Sequence, residues 1–242
     1  MMDLRIAHLY PDLMSIYGDR GNVIALTQRA RWRDIAVEVR PYTAGMTFDA
    51  DWPDLFFFGG GQDVGQDIVG ADLLGPNGDA VRHSLAGGAA AFLICGGYQL
   101  FGSEYLPDIG APIPGLGALD VHTNAGKQRF VGNLVADTRD GTLVGFENHS
   151  GRTYLGSKAV PLGTVQVGHG NNGEDKTEGA VQGKIIGTYS HGSCLPKNPW
   201  LADKLLTWAL ERRHGTPRLM PLDDREERAA SEQAAVVARA RP

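Results

Sequence analysis

The chain has 242 residues, 42% of them hydrophobic and 21% charged, with a formal net charge of −5. That length can bury a substantial core as one large α/β domain without disulfides, and the acidic balance, with no long basic run, argues against nucleic acid as the main partner. The opening stretch MMDLRIAHLYPDLMSIYGDRGN lacks a leader pattern and no run approaches the ~18 apolar residues of a membrane span, so a cytoplasmic protein with no membrane span is expected.

LRIAHLY (4–10) reads as a first strand. GDRGNVIALTQRARWRDI (18–35) follows as a helix, with Asp19 a candidate cap, and AVEVRPY (36–42) alternates as a second strand. DLFFFGGG (54–61) is a short apolar run delivered into three glycines, the pattern of a buried parallel strand ending in a tight loop. QDIVGADLLGPNGDAVRHSLAGG (66–88) is a broken helical region, and AAFLIC (90–95) is another buried strand. This rhythm predicts an α/β fold, a mostly parallel sheet flanked by helices.

The second half changes character. FVGNLVAD, LVGFENHSGRTYL, GTVQVGHG and GAVQGKIIGTYSHG are strand-like pieces between Gly, Asn and Asp turns, predicting added antiparallel strands. A helix is expected over 199–214, with Asn198 as its cap, Pro199 in its first turn, Gly215 at its end and Leu201, Leu205 and Trp208 as a core stripe. With no repeat or long linker, residues 1–215 read as one domain. Residues 216–242 read as a charged, Ala-rich tail, either a surface helix or frayed.

The chemistry centres on AAFLICGGYQLFG (90–102). A strand that ends in Cys95 and turns at once through Gly96 and Gly97 into a helix exposes that side chain at the carboxyl edge of the sheet, where ligands bind in open α/β folds. Backbone N–H groups and the helix dipole then favour the thiolate nucleophile. The sharp strand-to-helix turn resembles a nucleophile elbow, though Leu93 stands where such elbows carry glycine. A buried structural cysteine is the alternative. A thiolate attacking a carbonyl needs oxyanion donors, and the N–H groups of Gly60 and Gly96 are the candidates. It also needs an acid and base. His191 in GTYSHG and His149 in GFENHSGRT both suit that role by position, and spacing does not choose between them. Cys194 reads as a packed thiol. Neither cysteine belongs to a CxxC pair and no His/Cys cluster has zinc spacing, so no metal is expected.

FFFGGG, LICGGYQLFG and GTYSHG together resemble the signatures of class I, triad-type glutamine amidotransferases, most closely their cobyric acid synthase-like branch. YGDRGNVIAL (17–26) and GFENHSGRTYLG (145–156) resemble the glutaminase subunits of lipid II isoglutaminyl synthases, the GatD-type proteins. The resemblance runs from about residue 4 to about residue 210. It implies the flavodoxin-like fold of that class, Cys95 as the nucleophile on the glutamine carboxamide, and Gly60 and Gly96 around the oxyanion. His191 becomes acid and base, Gln99 a substrate contact, and Arg129 the grip on the α-carboxylate. It implies a heterodimer with a Mur ligase-like synthetase subunit that binds ATP, this chain needing no cofactor, and D-glutamate of lipid II as acceptor. A corrinoid acceptor or a catalytically weak regulatory subunit are the alternatives. The third acid of H-x-E is absent, since His191 is followed by Gly192 and Ser193. The group orienting His191 is therefore left open among a backbone group, a carboxylate such as Glu147, and a carboxylate from the partner.

Overall fold

The computed structural model describes residues 2–16, 18–61 and 63–240. Tyr17, at the head of YGDRGNVIAL, and Arg241 and Pro242, at the end of the tail, lie outside the described residues. The first half alternates strands and helices as β1 (Asp3–Leu9), α1 (Arg20–Arg31), β2 (Ala36–Tyr42), β3 (Leu55–Phe58), α2 (Asp63–Leu73), α3 (Pro76–Ala86), β4 (Ala90–Ile94) and α4 (Gly96–Phe101). The broken helical region is thus two helices, and Pro76 opens the second at the first-turn position where its missing N–H costs nothing. The second half runs β5 (Glu104–Leu106), β6 (Ile113–Pro114), β7 (Val121–Thr138), β8 (Gly141–Leu155), β9 (Gly163–Val167), β10 (Thr177–Glu178), β11 (Ala180–Gln182) and β12 (Ile185–Thr188). Helices α5 (Cys194–Lys197), α6 (Pro199–His214) and α7 (Arg225–Ala240) close it.

Two sheets form. The first has the order β11-β12-β4-β3-β1-β2, with every pair parallel except the antiparallel edge strand β11. Its middle strands β3 and β4 are buried at every position, as their unbroken apolar runs require when helices cover both faces. The second sheet, β10-β9-β7-β5-β6 with β8 beside β7, is antiparallel except for the β5–β7 pair. The two sheets touch where Phe146 of β8 bridges to His191, just beyond β12.

Leu201 and Leu205 of α6 are fully buried and Trp208 packs against the same core. Asn198 holds the N-cap position of α6, but its side chain makes no cap bond. Its side chain instead accepts from the Val144 N–H (2.9 Å) and donates to the carbonyls of Val144 (2.9 Å) and Cys194 (2.7 Å), pinning β8 to the helix start. The segment after residue 215 is tied down. Buried Arg29 of α1 is gripped on one side by Asp203 (2.8 and 2.9 Å) and on the other by Asp224 (2.7 and 3.0 Å). Arg33 donates to Asp203 and to the Met220 carbonyl, both at 2.7 Å. Beyond this strap, Ala238 of α7 packs on Val135 and Val167 of the second sheet.

Candidate active site

Cys95 stands at the carboxyl end of β4 with φ 49° and ψ −103°. A non-glycine residue in that region carries strain of about 1–3 kcal/mol, which the surroundings must hold in place. They do so through backbone bonds from Cys95 N–H to Thr188 O (2.9 Å), Gln99 N–H to Cys95 O (2.9 Å) and Gly97 N–H to Gly59 O (3.1 Å). A Cβ at Gly97 would lie 2.7 Å from the Phe58 carbonyl oxygen, so only glycine lets the turn press against β3. Gly96 opens α4, and its N–H has no carbonyl four residues back to bond.

His191 is the histidine brought to Cys95. Its imidazole stands beside the Cys95 side chain, and its Nδ1 lies 3.6 Å from Asp19 Oδ1, with the His191 and Asp19 side chains fully buried. Burial pulls the imidazole pKa down, but the Cys95 thiolate and the Asp19 carboxylate outweigh it and push the value up to about 10. The ring is therefore held as imidazolium beside the sulfur. His149 faces elsewhere. It stacks on Tyr189 at 3.6 Å, its Nδ1 bonds the Gly151 carbonyl, and burial lowers its pKa. Glu147 does not orient His191. It accepts from His169 Nδ1 (2.7 Å) and from the backbone N–H groups of His169 (2.8 Å) and Gly170 (2.9 Å).

Asp19 is the residue that sequence reasoning missed. It immediately precedes α1 but makes no side-chain cap bond. Its Oδ2 accepts the Gly60 N–H at 2.7 Å while Oδ1 faces His191. The remainder of GDRGN builds the same wall. A Cβ at Gly21 would overlap the Ser193 hydroxyl, so glycine lets α1 press on the loop after His191. Buried Asn22 donates to the Gly192 carbonyl (3.1 Å) and accepts from Leu195 N–H (2.9 Å). One helical turn thus fixes the acid and the loop that carries the imidazole.

Gly60 lies against the reacting groups, since a Cβ there would sit 2.6 Å from His191 Cε1 and 3.3 Å from the Cys95 Cβ. Its N–H, expected to face an oxyanion, is occupied by Asp19. Gln99 is buried and donates from Nε2 to the Tyr189 hydroxyl (3.0 Å), while its Oε1 accepts from Gln66 Nε2 (3.2 Å). The Tyr189 hydroxyl continues to Thr153 (2.7 Å) and on to Thr123 (2.7 Å), so GFENHSGRTYLG supplies the middle link, Thr153, of a buried polar chain behind Gln99. Arg129 is exposed on the β7–β8 hairpin, donating to the Asn148 side chain (2.5 Å) and its carbonyl (3.2 Å). It makes no hydrogen bond to Cys95, His191 or Gln99 among the described residues. Cys194 is fully buried, with its pKa pushed up to about 11 by burial. Among the described residues no group of three or more His, Cys, Asp or Glu could hold a metal ion, and no helix is long and apolar enough to cross a membrane.

The arrangement sets a thiol, an imidazole and a carboxylate in one buried row, and the chain shares its sequence and fold with known proteins. Over 216 residues the chain is 42% identical to the lipid II isoglutaminyl synthase (glutamine-hydrolyzing) subunit GatD of Staphylococcus aureus, covering 88% of this chain and 87% of that one. It is 38% identical to the subunit of the same name from Streptococcus pneumoniae, covering 90% and 85%. A cobyric acid synthase from Limosilactobacillus reuteri is 32% identical, over 64% of this chain but 31% of its own length. Among solved structures, a glutamine amidotransferase has the same fold (TM-score 0.57, 18% identity, covering 84% of this chain and 98% of that one). So does PurLQS from Thermotoga maritima (TM-score 0.59, 13% identity, covering 86% and 98%). Residues 5–199 match the CobB/CobQ-like glutamine amidotransferase domain, and the chain belongs to that family of glutamine amidotransferases.

Proposed function

We propose that this chain is the glutaminase subunit of a two-subunit amidotransferase that amidates the α-carboxyl of D-glutamate in the lipid II stem peptide. The observation that carries the chemistry is the buried row Cys95–His191–Asp19 at the carboxyl edge of the parallel sheet. The Cys95 thiolate attacks the side-chain carbonyl carbon of glutamine, forming a C–S bond and an oxyanion. The Gly96 N–H is aimed at that oxygen, and the Gly60 N–H joins it once Asp19 releases it. His191 gives its proton to the departing nitrogen as the C–N bond breaks, leaving a thioester and ammonia. The now neutral imidazole takes a proton from water, whose oxygen attacks the thioester. Glutamate leaves and the sulfur is restored. Asp19 holds the imidazolium through both steps. Gln99 orients the carboxamide, and Arg129, on leaving Asn148, grips the α-carboxylate in a two-pronged contact.

Ammonia passes to a Mur ligase-like synthetase subunit, which binds ATP and activates the acceptor carboxylate. Sequence likeness supports this acceptor over a corrinoid, with 42% and 38% identity to the isoglutaminyl synthase subunits against 32% over a shorter stretch to the cobyric acid synthase. A nucleotide-driven partner places the complex in the cytoplasm. The test is ammonia release from glutamine by wild type and Cys95→Ser, alone and with the synthetase subunit of the same organism. We expect release that requires Cys95 and rises with the partner, and amidated lipid II when ATP is added. Release that survives Cys95→Ser would refute the chemistry; glutamine hydrolysis without any lipid II amidation would refute the acceptor.

A further inference from the structure

The arginines around α1 divide into two sets. Arg29 and Arg33 point inward and are saturated by Asp203, Asp224 and the Met220 carbonyl. Arg20 and Arg31 are exposed, and neither side chain has a hydrogen bond or ion pair with a described residue. Ile24, 59% exposed, stands on the helix between them, and Trp32, 53% exposed, follows at its C-terminal cap with polar Gln28 between the two. Single exposed apolar side chains are ordinary, but these two stand beside open clefts. On one side of Ile24 a cleft of about 510 Å³ runs toward the ends of β1 and β2, with Val39 and Pro41 as its far wall and Arg20 and Arg31 on its rim. The buried side chain of His8 lines this cleft, and its Nε2 has no partner among the described residues. On the other side a cleft of about 210 Å³ lies between Ile24, Trp32 and Pro196.

The same helix begins at the active site. Asp19, Gly21 and Asn22 hold His191 and its loop, and Arg20 is the member of GDRGN that turns outward. A body seated on α1 bears on the turn that positions the imidazolium and occupies the Gly60 N–H. Two cations without acids, on a chain whose net charge is −5, select an acidic partner surface. We propose that this face of α1 is the docking surface for the synthetase subunit, taking an acidic segment whose carboxylates engage Arg20 and Arg31 and whose apolar side chains enter the clefts beside Ile24. The proposal rests on the two-subunit reading above and adds to it the place of contact.

The experiment measures association of the purified chain with the synthetase subunit of the same organism, by calorimetry at low and high salt. The variants are the double substitution Arg20→Glu with Arg31→Glu, the single Ile24→Asp, and Ile109→Asp on a separate exposed apolar loop. Thermal melts confirm that each variant folds. We expect the double variant and Ile24→Asp each to weaken binding at least about tenfold, the double variant to lose the salt dependence, and Ile109→Asp to bind as wild type. Hydrogen exchange on the wild-type complex, which needs no variant, is expected to slow across residues 20–42. Wild-type affinity in the double variant, or protection confined to the loop around Ile109, would overturn the docking surface while leaving the two-subunit reading intact. No association of the wild-type proteins would overturn both.

Discussion

Replacing Asp19 by Asn isolates what its charge does. The amide oxygen can still accept the Gly60 N–H, so the bond seen at 2.7 Å is kept, but the anion 3.6 Å from His191 Nδ1 is lost. Two unit charges at that separation attract by about 4–5 kcal/mol at an effective dielectric constant of ~20. The Asn dipole recovers part of this, so we set the loss of imidazolium stabilisation at about 3–4 kcal/mol, or ~10²–10³-fold in rate. Because Asp19 is one of the groups holding the His191 pKa up to about 10, its removal lowers that value. The alkaline limb of the kcat/KM profile therefore moves to lower pH. The assay is glutamate release across pH 6–10, beside the rate of Cys95 alkylation by iodoacetamide at pH 7, which falls as the thiolate loses its stabilised counter-ion. Asp19→Ala, which loses the Gly60 contact as well, separates charge from scaffold. If Asp19→Asn keeps activity within threefold of wild type with an unmoved alkaline limb while Asp19→Ala is dead, the carboxylate is a scaffold for the glycine loop and the reasoning about His191 is wrong.

Cys194→Ser is expected to keep near-wild-type glutaminase activity, because this thiol is fully buried with its pKa at about 11; loss of all activity in a folded protein would reassign it. Arg29→Ala strands Asp224 alone, since Asp203 keeps Arg33 and is 30% exposed, so urea unfolding should report a loss of about 2–3 kcal/mol rather than the ~3–5 kcal/mol of a fully buried pair. Glu178 is buried, and that burial outweighs the hydrogen bonds from Thr188 and the Tyr189 N–H to raise its pKa from 4.5 to about 7. The folded state thus holds its proton more tightly, and the associated stability is present below pH 4.5 and lost as pH rises through about 7. Glu178→Gln should flatten that part of the profile and be about 1–2 kcal/mol more stable than wild type at pH 8, the gain being limited because an amide has no evident acceptor at the unpartnered Oε2 position.

How much of this was legible depended on whether a signal was local. FFFGGG and AAFLIC are continuous apolar runs stopped by glycine, and they became the buried centre of the parallel sheet. The elbow was legible because Cys95, Gly96 and Gly97 are neighbours in sequence. The choice between His149 and His191 was not, because both suited the role by position in the chain and only the pairing of β12 with β4 carries one of them to Cys95. Asp19 was read as a helix cap because Asp before an amphipathic run is usually that. Nothing in its neighbourhood reports a partner 172 positions away. Asn198 misled in the same way, since a long-range tie to β8 outbid the local cap. The register of β7 on β8 was equally closed to reading, as it rests on a bulge between Ala125 and Phe130.

The strand order β11-β12-β4-β3-β1-β2 has a consequence for the newly made chain. The site gathers residues 19, 60, 95 and 191, and the strand that delivers the last of them is the last parallel strand to be synthesised. A chain still on the ribosome carries Cys95 without His191 beside it, so the row of three side chains does not yet exist. The row is complete only when β12 pairs with β4. Non-local closure of this kind folds slowly, so the site is among the last features of the chain to form.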